Sequence, residues 1–307
     1  MASRLDLLVV GDVNPDIVLR GDVEPSFGQA EQLVEEAHLT IGGSGAIMAC
    51  GAARLGLRVA LCAIVGDDLF GRWIREQLAA RGIDVQGLIV DPEQRTGLTV
   101  VLSKRQDRAI LTHPGTIAEL RSANLDRRLL SETRHLHVSS YFLQRGLAPD
   151  LPPLFDEAHS VGATTSVDPN WDPSKTWDGG LTGILTRTDV FLPNATEAVR
   201  IARQEDIDRA ALTLARSAHL VVAKLGPQGA IAAQGTRLVR LEDTTGAGDS
   251  FDAGFLASWL EGDPLERSLA LGAACGALST RALGGVDGQP TMEEARGALA
   301  GLPAGSG

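Results

Sequence analysis

Short runs of Val, Ile and Leu alternate along most of the chain with longer segments whose apolar residues recur every three or four positions. The short runs are typical of buried strands in a parallel sheet, and the longer segments of amphipathic helices that cover its faces. The pattern therefore predicts an α/β fold with a doubly wound, mostly parallel sheet. The predicted strands are 5–10, 59–65, 135–139, 165–168, 190–192 and 220–224, and the predicted helices are 47–55, 71–81, 196–203, 206–217, 246–260 and 264–280.

Two regions, at about 14–40 and 84–112, do not follow this alternation. The second contains the strand-like run GLTVVLS at 97–103 without a helix after it, and together the regions predict a small antiparallel sheet. Since no repeat or low-complexity linker divides the chain, we expect one domain over residues 1–307. An exposed small sheet needs cover for its apolar face, which predicts a homodimer formed through it.

The composition supports a globular protein and excludes several classes. Hydrophobic residues make up 44% of the 307 residues, and the net charge of −11 argues against a nucleic-acid partner. No apolar segment is long enough for a membrane span or a signal peptide, so we expect a soluble cytoplasmic protein with no membrane partner. The three cysteines are widely spaced and predict buried thiols, and His135 and His137 are interpreted as structural.

The most informative motif is DTTGAGDSF at 243–251, which leads into an apolar helical segment. Small residues at Gly246, Ala247 and Gly248 let the backbone turn tightly, and N–H groups at a helix start attract anions. Asp249 would then stand beside a transferring phosphoryl group, where a carboxylate can accept the proton of an attacking hydroxyl. The alternative is a Gly-containing turn whose Asp caps the helix.

This motif resembles the C-terminal signature of the ribokinase-like carbohydrate kinases, the PfkB family. The segment IGGSGAIMACGAARLG at 41–56, followed by VGDD and FG, is similar to the N-terminal signature of the same family. The resemblance implies a ribokinase-like fold in which the regions 14–40 and 84–112 form a lid over the substrate. It also implies ATP-dependent phosphorylation of a hydroxyl of a small sugar or sugar acid, with Asp249 as catalytic base and residues 246–248 as the anion hole.

Further site residues follow from matching positions. The resemblance assigns substrate contacts to Asn14, Asp16, Gly42 and Gly43, although Asn14-Pro15-Asp16 could also be a turn held by Asx bonds. Ile47 stands where the family usually carries an Asn that bonds a sugar hydroxyl, which implies a different substrate or substrate orientation.

The nucleotide and the metals are assigned in the same way. The resemblance implies that Asn194 and Glu197 lie near the nucleotide phosphates and help organise Mg²⁺ through water, but the two residues are also a helix-capping pattern. Asp243 and Thr245 match positions that bind a monovalent cation, usually K⁺, with carbonyls from 279–288 completing the shell. The remaining residues assigned to ATP are Lys224, Gly226, Gly229 and Gly248, and Lys224 could instead be a solvated charge at a strand end.

Two alternatives remain open. A nucleoside kinase of the same fold would share every motif above, and a sugar-sensing protein could keep the fold without turnover, although the retained Asp249 argues against a sensor. A Rossmann dehydrogenase is disfavoured because 246–248 lacks the third glycine at the required spacing, and no GxxxxGK[ST] string is present for a P-loop enzyme.

Overall fold

The computed structural model describes residues 5–104, 107–241 and 247–300, which form two sheets with helices packed around the larger one. The strands are β1 Leu7–Val10, β2 Asn14–Arg20, β3 Glu36–Gly42, β4 Val59–Gly66, β5 Leu88–Asp91, β6 Leu98–Lys104, β7 Asp107–His113, β8 His135–Val138, β9 Thr164–Val167, β10 Val190–Phe191, β11 Leu220–Lys224, β12 Ala230–Gln234 and β13 Arg237–Leu241.

The large sheet has nine strands in the order β13-β12-β11-β10-β9-β8-β1-β4-β5. All neighbouring pairs from β11 to β5 are parallel, and β12 and β13 extend the sheet antiparallel at one edge. Alternate residues of β1 enter different cores, with Leu8 and Val10 on one face and Leu7 and Val9 on the other. Because both faces are buried, the doubly wound α/β prediction is confirmed.

The helices begin and end within three residues of the predicted positions wherever one was predicted. Polar side chains cap several starts: Asp68 accepts a hydrogen bond from the Gly71 N–H at α2, and Asp206 from the Arg209 N–H at α7. The helices are α1 Ser44–Arg54, α2 Leu69–Ala80, α3 Arg127–Glu132, α4 Leu151–Ser160, α5 Leu181–Leu185, α6 Ala195–Ala202, α7 Ile207–Leu214, α8 Gly248–Trp259, α9 Leu265–Ser279 and α10 Met292–Ala300.

The small sheet comes from the two regions that break the sequence pattern, and its strand order is β3-β2-β6-β7. Its outer pairs, β2 with β3 and β6 with β7, are antiparallel as predicted. The central pair of β2 with β6 is parallel, which joins the two hairpins into one sheet. The strand β5, although inside the second region, pairs with β4 of the large sheet.

The predictions for cysteine and histidine hold in the structure. Cys50, Cys62 and Cys275 are buried free thiols. His135 and His137 are buried and share the Ser166 hydroxyl at 2.7 Å, and burial lowers the pKa of each imidazole to about 3. Both rings are therefore neutral structural groups. Within the described ranges, no helix has the length and apolar character needed to cross a bilayer.

Candidate active site

A cavity of about 510 Å³ lies between the small sheet and the N-terminus of α8. Asp16, Val18 and Arg108 line it from the small sheet, Ile47 from α1, and Asp249 from α8. The segment 279–285 closes the remaining side. Cavities of this size commonly hold small-molecule ligands, and this one lies at the carboxyl edge of the large sheet, where open α/β folds place them.

Asp249 lies in the first turn of α8 and is partly buried. Desolvation by burial raises the pKa of its carboxyl to about 8, and the negative charges of Asp168 and Asp12 add to the rise. The positive charge of Lys224 and a hydrogen bond with Ser44 oppose it. A carboxyl whose pKa lies near the working pH can accept and release a proton readily, as a general base must.

The start of α8 also brings backbone N–H groups to the cavity wall. The N–H of Ala247 donates to the Gly276 carbonyl at 3.2 Å, so this member of the predicted anion hole is already engaged. The N–H groups of Gly248 and Asp249 are in the first turn of the helix and have no intrahelical acceptor. Gly246, together with the predicted cation ligands Asp243 and Thr245, lies outside the described residues.

Lys224 places a positive charge beside the start of α8. Its Nζ donates to Asp168 Oδ2 at 2.7 Å and to Asp252 Oδ2 at 2.8 Å, and the side chain is only 11% exposed. Burial by itself would lower the pKa of this ammonium, but Asp168, Asp252 and Glu197 together raise it above its usual value. The ammonium also lies close to the helix start, because a Cβ added to Gly248 would be 3.8 Å from Nζ.

Asn194 and Glu197 form the capping box of α6, as their spacing allows. The Asn194 N–H donates to Glu197 Oε2 at 2.8 Å, and the Glu197 N–H donates to Asn194 Oδ1 at 2.9 Å. Burial, followed by the charge of Asp168, raises the pKa of Glu197 to about 7 against the opposing effect of Lys224. Carboxylate oxygens are the donors that Mg²⁺ prefers, so the chemistry of this corner fits a hydrated Mg²⁺.

A narrow cleft of about 20 Å³ adjoins Lys224, and glycines make much of its wall. Gly226, Gly229 and Gly248 are three of its lining residues, and Phe251 packs beside them. Apart from its chain neighbours, no heavy atom of the described residues lies within 4 Å of a Cβ built on Gly226, so a ligand could approach this side of its Cα. The cleft thus brings together the glycines that the resemblance assigns to ATP.

The predicted substrate residues of the small sheet form a connected group. Asn14 is buried and its Nδ2 donates to Asp16 Oδ1 at 2.8 Å, so Asn14 positions Asp16 from behind. A Cβ on Gly42 would lie 1.8 Å from the same oxygen, which shows why this place needs glycine. Gly43 has a φ of +84° and turns the chain into α1. Burial raises the pKa of Asp16 to about 7.

Three residues of the site escaped the sequence reasoning. Asp12 is buried and accepts hydrogen bonds from the N–H groups of Ser44 and Gly45 at 3.1 and 3.0 Å, although it stands only two positions before Asn14. Asp252 follows Asp249 by three positions, a spacing that places two helical residues on one side. No local sequence pattern marks Arg108 as a site residue, because its position beside the cavity depends on the pairing of β7 with β6.

Comparison with known proteins gives a consistent result. The pfkB family carbohydrate kinase model matches residues 4–292. The chain is 30% identical over 281 residues to the 2-dehydro-3-deoxygluconokinase of Bacillus subtilis (strain 168), covering 83% of this chain and 85% of that protein. It is 32% identical over 277 residues to the fructokinase of Salmonella typhimurium, covering 82% of this chain and 90% of that protein.

Solved structures show the same architecture. A putative ribokinase II from E. coli, determined in complex with ATP and Mg²⁺, superposes with a TM-score of 0.84 at 23% identity, covering 96% of this chain and 99% of that one. The PfkB protein from Polaromonas sp. JS666 gives a TM-score of 0.81 at 26% identity, with the same coverage of 96% and 99%. These likenesses confirm the ribokinase-like fold.

Proposed function

The chain belongs to the pfkB family of carbohydrate kinases, and on that premise we propose that it transfers the γ-phosphoryl group of ATP to a hydroxyl of a small sugar or sugar acid, with Asp249 as the base. The observation that carries the proposal is the position of Asp249, which faces the 510 Å³ cavity from the first turn of α8. The test is ADP release with Mg²⁺-ATP across aldoses, ketoses, sugar acids and nucleosides. A signal from nucleosides alone would overturn the sugar assignment.

In the proposed reaction the acceptor hydroxyl lies in the cavity between Asp16 and Asp249. Asp249 takes the hydroxyl proton while the oxygen forms a bond to the γ-phosphorus and the bond to the ADP oxygen breaks. The N–H groups of Gly248 and Asp249 face the developing negative charge, and the ammonium of Lys224 lies beside them. Mg²⁺, held through water near Asn194 and Glu197, would offset the remaining phosphate charge.

Replacing Gly42 with Ala tests the role of Asp16. The new Cβ would overlap Asp16 Oδ1, whose distance from that point is 1.8 Å, so the carboxylate must move away from the acceptor. We expect kcat/KM for the sugar to fall by on the order of 100-fold, with the KM for ATP little changed. Gly183→Ala is the matched control, because a Cβ built there meets no heavy atom of the described residues within 4 Å beyond its chain neighbours and the backbone of its own helix. An unchanged sugar KM in Gly42→Ala would remove Asp16 from the substrate site.

The small sheet, in this proposal, is a lid that also forms a homodimer. Leu39, Ile17, Val100 and Leu111 make one row across all four strands, on the face opposite Asp16. Leu39 is 46% and Leu111 60% exposed, so the row is an uncovered apolar surface that a second copy would bury.

Sedimentation velocity tests the dimer. We expect the wild type to sediment as a dimer and Leu111→Asp as a monomer, because an aspartate in the row would be buried without a partner. Ile110→Asp is the control, since Ile110 is 54% exposed and points to the other face of the same strand. Monomeric wild type, or dissociation caused equally by both substitutions, would contradict an interface through this row.

A monovalent cation is the last part of the proposal, and it rests on the sequence match of Asp243 and Thr245. A cation held by oxygens beside the start of α8 would fix the loop and add positive potential. We expect turnover at constant ionic strength to be higher in K⁺ than in Na⁺ or choline salts. Equal turnover in all three salts would rule the cation out.

A further inference from the structure

Arg108 lies on the side of the small sheet that faces the cavity. The register pairs Val18 with Val101 on the neighbouring strand, and Ser103 with Arg108 on the next. Paired residues point to the same face of a sheet, and alternate residues of one strand share that face. Asp16, Val18, Val101 and Ser103 all line the cavity from this face, and Arg108 lines it with them. Its position thus follows from the strand pairing as well as from the cavity.

The charges around the cavity are few. Among its described lining residues, Asp16 and Asp249 are the only acids and Arg108 is the only cationic side chain. Arg108 is close enough for its charge to oppose the rise of the Asp16 pKa. A guanidinium in a substrate cavity is a strong recognition group for carboxylate and phosphate, which it can bind through two parallel hydrogen bonds.

Apart from these three charged residues, the polar side chains that line the cavity are the hydroxyls of Ser103, Ser279 and Thr280, which can bond neutral and anionic acceptors alike. Ile47 fills part of the cavity beside Gly285, since a Cβ built on Gly285 would lie 2.5 Å from the Ile47 Cδ1. Val18, Val101 and Leu283 add further apolar wall. The amide of Asn14 is already used, because its Nδ2 donates to Asp16 Oδ1, Thr99 Oγ1 and the Pro15 carbonyl. Discrimination between substrates therefore falls to the charged groups.

We infer that Arg108 is a specificity-determining residue that binds an anionic group of the acceptor, so that the substrate is a hydroxyl compound carrying a carboxylate or a phosphate ester. The inference rests on the proposed function and narrows it. Asp249 would act on the hydroxyl at one end of the cavity while Arg108 holds the anionic end from the small sheet. A neutral sugar of the same length would lack the contact with Arg108 and bind more weakly.

The test compares acceptors that differ only in the charged group. Wild type and Arg108→Gln are assayed with an aldonate, with the alditol of the same carbon skeleton, and with the corresponding sugar phosphate. We expect the wild type to favour one of the two anionic compounds over the alditol. In Arg108→Gln, kcat/KM for that compound should fall roughly 10- to 100-fold, mainly through KM, and by clearly more than kcat/KM for the alditol, whereas the KM for ATP should change little.

The outcomes separate the two proposals. Preference for the aldonate identifies a carboxylate and preference for the sugar phosphate a phosphate ester, and loss of either preference in Arg108→Gln supports the inference. Equal loss on charged and neutral acceptors, or a wild type that favours the alditol, overturns it while leaving the kinase intact. If the wild type phosphorylates no sugar at all, the proposed function itself is wrong. Arg20→Gln is the control, because Arg20 belongs to the same sheet but is not one of the residues that line the cavity.

Discussion

Replacing Asp249 with Asn is expected to lower kcat by about 10²- to 10⁴-fold, the range that a positioned general base contributes. Asn keeps the size of the side chain but cannot take the hydroxyl proton. Binding of ATP should persist, because Lys224 and the glycines of the adjoining cleft are unchanged. In the wild type, kcat/KM should rise with pH and level off above about 8, where the buried Asp249 carboxyl becomes ionised. The Asn variant should lose this rise.

The pH dependence of folding stability reports on the ionisation of Asp249 independently of turnover. The folded-state pKa of Asp249, about 8, lies above its ordinary value of 3.8, so the folded protein binds this proton more tightly than the unfolded chain. The contribution of this group to stability is therefore fully present below about pH 4 and is lost as the pH rises through about 8. The Asn variant has no such group, so its stability relative to wild type should increase between pH 5 and pH 9.

The matched control for this experiment is Asp208→Asn. Asp208 also lies in the first turn of a helix, α7, but its carboxylate is on the surface, paired with Arg240. Its substitution should leave kcat and its pH profile unchanged. Near-normal turnover in Asp249→Asn, or an equal loss in both variants, would contradict the assignment of Asp249 as the base.

Replacing Lys224 with Met is expected to destabilise the fold by roughly 3–5 kcal/mol, as removal of one partner from a buried ion pair commonly does. The change leaves Asp168 and Asp252 without the ammonium that they contact at 2.7 and 2.8 Å. It also removes the charge that holds down the pKa of Glu197 and of Asp252. Both carboxyls then bind protons more tightly in the folded state, so the loss of stability should grow as the pH rises from 6 to 8.

Urea unfolding at the two pH values measures this effect. Lys104→Met is the control, since Lys104 forms an exposed pair with Glu24 that solvent screens, so its loss should change stability little. Adding Asp252→Asn to Lys224→Met should recover part of the lost stability. The Asp252 carboxylate, which loses its contact with the ammonium in Lys224→Met, is then replaced by a neutral amide. A loss in Lys224→Met no larger than in the control would show that the buried cluster does not depend on the lysine.

Strands and helices could be predicted from the sequence where a local pattern of apolar residues determines them. Strands at 59–65 and 220–224 were predicted because both are short runs rich in Val, Ile, Leu and Ala, and the structure buries β4 completely and β11 except for partly buried Lys224. The helix α4 was not predicted, since Pro152 and Pro153 argue against a helix unless they stand in its first turn, as they do. The parallel pairing of β2 with β6 joins residues more than 80 positions apart, and no local signal encodes it.

The site divides in the same way. Asp249, Gly42 and Glu197 lie within short motifs whose spacing has a physical meaning, so they could be found from the chain alone. Lys224 contacts Asp168 across 56 positions of sequence. From the sequence Lys224 could be a solvated charge at a strand end, whereas in the structure it is the centre of a buried cluster. Arg108 became a site residue only through strand pairing. The sequence therefore led to the proposal of Asp249 as the base, and the tertiary structure supplied the charges that surround it.

Transfer of phosphate from γ-³²P-labelled ATP to a sugar or sugar acid, followed by chromatography of the product, would decide whether Asp249 is the base of a sugar kinase. We expect the label to appear in an acid-stable phosphate ester in the wild type and in Asp208→Asn, and to fall at least 100-fold in Asp249→Asn. Release of inorganic phosphate alone, or unchanged labelling of the ester in Asp249→Asn, would contradict it.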